Sequence, residues 1–167
     1  MQQKVNKIEV KFSDFVKKFP SVELPVILNE DAVMEFSRLN TPLTELEIIA
    51  YIYPFEENVD EFTEFIPCFS IPETHDFNAL VYWRGDLLEY YFTMITFDQN
   101  GKFLHKKVIG GTYSEDQTLY RSVTTIDEDW IIYVVTGQTL ANQKDYDPTT
   151  SKISNLELLA DGKIISS

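Results

Sequence analysis

Residues 78–109 constrain this chain more than any other stretch. They read Asn-Ala-Leu-Val-Tyr-Trp-Arg, Gly-Asp, Leu-Leu-Glu-Tyr-Tyr-Phe-Thr-Met-Ile-Thr-Phe, Asp-Gln-Asn-Gly and Lys-Phe-Leu-His-Lys-Lys-Val-Ile. β-Branched and aromatic residues fill the long runs and turn formers fill the gaps, the pattern of three antiparallel strands joined by two short turns. Gly85-Asp86 predicts a two-residue hairpin. Asp98-Gln99-Asn100-Gly101 predicts a type I turn with Gly101 in the left-handed position. The same grammar continues downstream. Gly110-Gly111 predicts the end of the third strand, and 119–126 and 130–136 predict a pair about Asp127-Glu128-Asp129. A polar loop is expected at 137–147, then a last hairpin, 153–159 with 163–165, about Asp161-Gly162.

The front of the chain follows helical spacing. Residues 1–12 are a polar lead-in. Ser13-Asp14 predicts the cap of a short turn that gathers Phe15, Val16 and Phe19 before Pro20 stops it. Residues 22–28, with Pro25 inside, are expected to be extended but not central in a sheet. Asn29 predicts a helix start with Val33, Phe36 and Leu39 inward. A second helix is expected from Thr41-Pro42, or one turn later from the capping-box pair Thr44 and Glu47, with Leu46, Ile49, Ala50 and Tyr53 buried. The chain then divides into a helical cover at 12–54, an irregular acidic and aromatic segment at 55–77, and an antiparallel sheet at 78–166, all in one domain over 1–167. An edge strand at Phe69 is the one regular element expected in the middle segment. The fold class is α+β: N-terminal helices packed on a twisted, mostly antiparallel β-meander of roughly seven strands.

Strand alternation then sorts residues by face. Pairing through the tight turn sets Trp83 opposite Leu88, Val81 opposite Tyr90 and Ala79 opposite Phe92. Met94, Leu104 and Val108 extend this face, which is expected to be the core under the two helices. The opposite face carries Tyr82, Arg84, Leu87, Glu89, Tyr91, Thr93, Ile95, His105 and Lys107. That mixture is too aromatic for a solvated surface and too charged for a core, and it resembles the composition of binding surfaces. Tyr82, Arg84, Glu89, Tyr91 and His105 are the candidate binding residues, with Arg84 expected to pair with Glu89. On this reading Arg84→Ala changes binding and leaves thermal stability nearly intact.

Signals for chemistry are sparse. The two histidines, His75 and His105, have no metal-ligand partner at helical spacing. No glycine-rich phosphate loop and no nucleophile elbow occur. The Asp98 turn lacks the later ligands of a calcium loop, and Asp145 and Asp147 about Tyr146 make no better site. No cofactor and no metal are expected, and the chain is read as not an enzyme. Net charge is −13 at pH 7, which repels phosphate backbones and favours a basic partner if the protein binds by charge. No nucleic acid and no membrane span are expected. Cys68 is the only cysteine, so no internal disulfide forms, and between Pro67 and Phe69 it is expected to be a small buried hydrophobe.

Phe19-Pro20 followed by Val22-Glu23-Leu24-Pro25, the helical region closing at Tyr53-Pro54, and the strand over 91–97 running into Asp98-Gln99-Asn100-Gly101-Lys102 form a layout. It resembles small uncharacterised lipoprotein or envelope-like proteins of Bacteroidota. The resemblance implies a cell-envelope or periplasmic location if a leader was removed. A cytoplasmic location is expected if the chain is full length, and no lipid-acceptor cysteine stands near position 1. The resemblance brings no activity and no site residues. The leading functional expectation is a non-catalytic binding or interaction domain using the mixed face. Two alternatives stand beside it: an acidic inhibitor or immunity-type protein masking a basic partner, and a small enzyme with a pocket in a cupped sheet.

Overall fold

The turns at 98–101, 127–129 and 161–162 fall where the sequence places them, whereas Gly85-Asp86 and Gly110-Gly111 act differently. The computed structural model describes residues 10–140 and 147–167. Residues 1–9 of the expected lead-in, and 141–146 of the loop expected at 137–147, with Asp145 and Tyr146, lie outside the described residues; 137–140 belong to a strand. Three short helices come first: α1 (Phe12–Val16), α2 (Ala32–Leu39) and α3 (Glu45–Tyr51), the last running into a 3₁₀ turn at Tyr53–Phe55. The strands are β1 (Val26–Leu28), β2 (Glu64–Ser70), β3 (Phe77–Gly85), β4 (Tyr90–Asp98), β5 (Phe103–Glu115), β6 (Thr118–Ile126), β7 (Ile131–Leu140), β8 (Asp147–Leu158) and β9 (Ile164–Ser166). β2 to β9 form an antiparallel meander in chain order, and β1 pairs with β6 off that path. Strands dominate, so the fold is more β-rich than the α+β expectation. The strands beyond the expected seven are β1, which follows Pro25, and the edge strand β2, whose register shifts at Pro67.

Two details of the hairpins differ from expectation. Gly85 still belongs to β3, and the β3–β4 loop is 86–89, closed by Asp86 N–H donating to the Glu89 carbonyl at 2.8 Å. Trp83 therefore faces Phe92 instead of Leu88. The shift is by an even number of residues, so alternation along the strands survives, but Leu88 moves from the expected core to the loop tip. Gly85 is needed for room: a Cβ there would lie 2.0 Å from the Trp83 ring. Gly110-Gly111 likewise does not end a strand. β5 runs through it, with Gly110 paired to Phe92 and Gly111 to Tyr91 just past a bulge at Ile109, and a Cβ on Gly111 would come within 2.2 Å of the Tyr90 carbonyl.

β5 in fact carries two irregularities, and together they set the faces of the sheet. Thr96 pairs with His105 but Phe97 pairs with Phe103, leaving Leu104 as an extra residue. Directly opposed residues share a face, so parity reverses: Lys106 and Val108 lie with Ile95 and Thr93, while His105 and Lys107 lie with Thr96 and Met94. The second shift, between Thr93–Val108 and Phe92–Gly110, restores parity, so Thr112 shares a face with Tyr90. Val108, expected in the core, is about half exposed, and Ile109 is buried in its place.

The sheet folds back on itself around one core. Cys68, Phe69, Ala79, Val81, Phe92, Met94 and Ile109 from β2–β5 meet Ile126, Ile132, Val134, Leu156, Leu158 and Ile164 from β6–β9. The second half of the sheet therefore covers the face assigned to the helices, aided by α2, where Phe36 packs on Phe69. α1, α3 and the 3₁₀ turn cover the opposite face, forming a second core of Phe15, Phe19, Ile52, Phe65, Leu80, Tyr82, Ile95 and Phe97. Cys68 is buried as expected, and burial pushes its thiol well above the ordinary range. Asn40, which follows α2, donates from Nδ2 to the carbonyls of Pro67 and Cys68 on β2, each at 2.8 Å.

α3 starts at the later of the two expected positions, with a capping box: Thr44 Oγ1 accepts from Glu47 N–H, and Glu47 Oε1 accepts from Thr44 N–H. Its buried stripe is rotated from the expected one. Leu46, Ile49 and Tyr53 are exposed, and Glu47 and Ile52 face inward. Leu39 of α2 is exposed as well. Burial opposes the Glu47 charge, but Lys18 at 2.8 Å and the Thr44 bonds outweigh it and lower the carboxyl's pKa. A lowered carboxyl stabilises the fold above its unfolded value and loses that contribution as pH falls through the folded one. Glu47→Gln is expected to reduce stability by about 1–2 kcal/mol at neutral pH. The difference should vanish in strong acid, as read by urea denaturation across pH.

At the far end the curled sheet is tied shut by side chains. His105 Nδ1 accepts from the Ile164 N–H at 2.9 Å, and Thr96 Oγ1 donates to the Gly162 carbonyl at 2.7 Å. These bonds join β5 and β4 to the β8–β9 hairpin. His105→Ala leaves a buried donor unanswered and is expected to destabilise by about 1–3 kcal/mol in chemical denaturation.

Candidate functional site

Among the described residues, Arg84 is the centre of an extensive polar arrangement. It lies at the end of β3 opposite Tyr91, and its guanidinium is nearly enclosed. Nη1 donates to Glu56 Oε2 at 2.8 Å and to the Glu57 carbonyl at 2.7 Å. Nη2 donates to the Asn58 carbonyl at 3.1 Å, and Nε to Asp86 Oδ2 at 3.1 Å. The expected pairing with Glu89 is replaced by Glu56 and Asp86. Burial works against the Arg84 charge, but these two carboxylates prevail and hold it more basic than usual.

Glu56 is the most enclosed of the charged members, with 6% of its side chain exposed. Its other oxygen accepts from the Tyr82 hydroxyl and lies 3.5 Å from Lys106 Nζ, which itself donates to the Phe55 carbonyl at 2.6 Å. Burial, then the Glu56 charge, pushes the Tyr82 hydroxyl well up. Asp86 is held in turn by Thr63 Oγ1 at 2.8 Å. One side of the hairpin base is thus laced to the 55–63 segment by two cations, two anions and a phenol, linked in a chain through Glu56 and Arg84.

This lacing forms one wall of a cleft of about 940 Å³, lined also by Glu57, Asp60, Leu87, Leu88, Glu89 and Tyr91. Above it stands the loop tip, where Leu87 is 72% and Leu88 90% exposed. Burial, and then the Glu89 carboxylate beside it, pushes the Tyr91 hydroxyl up to about 12. Tyr91 opens a ladder of stacked rings, Tyr91–Tyr113 at 6.0 Å and Tyr113–Tyr120 at 5.1 Å. Tyr113 is the middle ring, so one broad face of Tyr91 and one of Tyr120 lie outside the stack.

Of the five candidate residues, Arg84, Glu89 and Tyr91 line the cleft. Tyr82 is fully buried beneath the helices, so only its hydroxyl reaches the network, through Glu56. His105 lies on the other face because of the Leu104 bulge, and its ring is engaged with β9. Glu56, Asp86, Leu88 and Lys106 complete the site and were not singled out. Lys106 takes the place expected for Lys107, an exchange that needs knowledge of the bulge. Glu56 stands in an acidic run where nothing local separates it from its neighbours.

Both Glu56 oxygens are engaged, and neither histidine lines the cleft. His75 is exposed between β2 and β3, where its carbonyl accepts from Gln99. Among the described residues no group of three His, Cys, Asp or Glu is placed to hold a metal ion, and no helix is long and apolar enough to cross a membrane. Asp98 Oδ1 accepts from the N–H groups of Asn100 and Lys102 within its own turn.

Compared with protein families, curated proteins and solved structures, the chain matches none.

Removing one partner from a buried ion cluster strands the rest. Glu56→Ala is expected to destabilise by about 3–5 kcal/mol. Arg84→Ala is likewise expected to lower the melting temperature strongly, contrary to the expectation from an exposed face. A Glu56→Ala/Arg84→Ala cycle should show the two losses to be far from additive, as read from denaturation midpoints.

Proposed function

We propose that this chain is a non-catalytic interaction domain that holds a polypeptide segment of another protein in the cleft beside the β3–β4 tip. The observation that carries the reading is the pair Leu87 and Leu88, held out into water on a loop whose base is fixed. Exposed leucines on a floppy loop are unremarkable, but here Asp86 is clamped by Arg84 and Thr63 at the loop's first residue. A contact surface ordered before binding loses less entropy on binding. Tyr91 adds an aromatic contact of the kind enriched at interface centres.

The charge of the cleft favours the narrower reading of an acidic inhibitor or immunity-type protein over a small enzyme. The enzyme reading has less support, since both histidines lie away from the cleft.

Panning a random peptide library against the intact chain tests the proposal. Enriched peptides are expected to lose binding to Leu87→Ser/Leu88→Ser, a variant expected to keep the parent's melting temperature because both side chains are exposed. Binding that is indifferent to this variant, or the absence of any enriched peptide, overturns the assignment.

A further inference from the structure

We infer that the segment bound in this cleft is basic: an extended stretch in which lysine or arginine alternates with aliphatic residues. The inference rests on the cleft being the binding site. It follows from which charges there already have partners. Arg84 and Lys106 are both in contact with Glu56, and Arg84 also holds Asp86, so these two cations and two anions balance within the wall. Glu57, Asp60 and Glu89 line the same cleft and have no cationic partner among the described residues. The Asp60 carboxylate accepts from the Phe62 N–H of its own turn, and it shares the single Thr63 hydroxyl proton, at 3.2 Å, with Asp86, at 2.8 Å. The cleft therefore presents an unbalanced negative charge flanked by two exposed leucines.

That combination selects among ligands. An acidic or phosphorylated segment meets repulsion from three carboxylates. A purely apolar segment leaves those carboxylates desolvated without a partner, which is unfavourable. A small polycation satisfies the charge but leaves Leu87 and Leu88 in water. A basic segment with aliphatic side chains answers both, and in an extended chain side chains alternate in direction, so one set can reach the carboxylates while the other meets the leucines.

The test uses fluorescence anisotropy with three probes on the intact protein: a labelled peptide of alternating leucine and lysine, its leucine–glutamine counterpart, and unlabelled spermidine as competitor. The lysine peptide is expected to bind at least about tenfold more tightly than the glutamine peptide. Its affinity should fall steeply between about 50 and 500 mM salt. Glu57→Gln/Asp60→Asn/Glu89→Gln should lose that preference. Glu73→Gln/Glu128→Gln/Asp129→Asn removes as much charge away from the cleft and should keep it, which separates the site from general attraction to an acidic chain. Equal binding of the two peptides, with both sensitive to Leu87→Ser/Leu88→Ser, overturns the basic partner and leaves the site standing. Binding of the lysine peptide that ignores the leucine variant overturns the site itself. Displacement by spermidine at concentrations matching the peptide's own affinity overturns the need for aliphatic side chains.

Discussion

An ionised carboxylate in a nearly closed space must be paired, and Glu56 sets that requirement for one end of this molecule. A carboxylate taken out of water is tolerated only when hydrogen bonds and opposite charge replace its hydration. Tyr82 from the inner part of β3, Arg84 from its end and Lys106 from β5 each supply part of that replacement. The three residues come from two strands, while Glu56 comes from the segment that crosses over them. The network therefore fixes the 55–63 segment against the sheet, and the cleft wall and the hairpin tip take their positions from it. The candidate surface is in this sense the outer side of a structural clamp.

The layering explains why such a clamp is possible. β2–β4 are buried on both faces: one packs on the folded-back second half of the sheet, the other on α1 and α3. A doubly buried sheet has room for polar groups only near its rim, and the network lies there, where Tyr82 gives way to Arg84 along β3. The tyrosine ladder continues from this rim across β4, β5 and β6. Its stacked rings tie the neighbouring strands together.

Much of this was legible in the sequence and some of it could not be. Turn chemistry at Asp98–Gly101 and Asp161–Gly162, the capping box at Thr44 and Glu47, and the alternation of Ala79, Val81, Phe92 and Met94 are local signals, and each element follows them. The rotated stripe of α3 was not legible because its acid, Glu47, is buried by its cap and by Lys18, so the charged position looks outward by composition and lies inward in fact. The second burial of β3 and β4 was hidden because Tyr82, Thr93 and Ile95 suit a half-exposed face as well as a covered one. Most consequential is Leu104. A single unpaired residue reverses parity over a few positions, exchanges Lys107 for Lys106 at the clamp, and turns His105 inward. No residue near Leu104 announces that insertion, since Phe, Leu and His fit either register.

Asn40 also closes an edge of the sheet. By donating to the carbonyls of Pro67 and Cys68 it occupies backbone acceptors along the outer margin of β2, next to the place where Ser70 is already bonded to Pro20 and Val22. At the other margin, the Ile164 amide is taken up by an imidazole. A sheet terminated in this way has few main-chain groups left to recruit a foreign strand, so end-to-end growth into fibrils is discouraged, and recognition falls to side chains instead of the backbone.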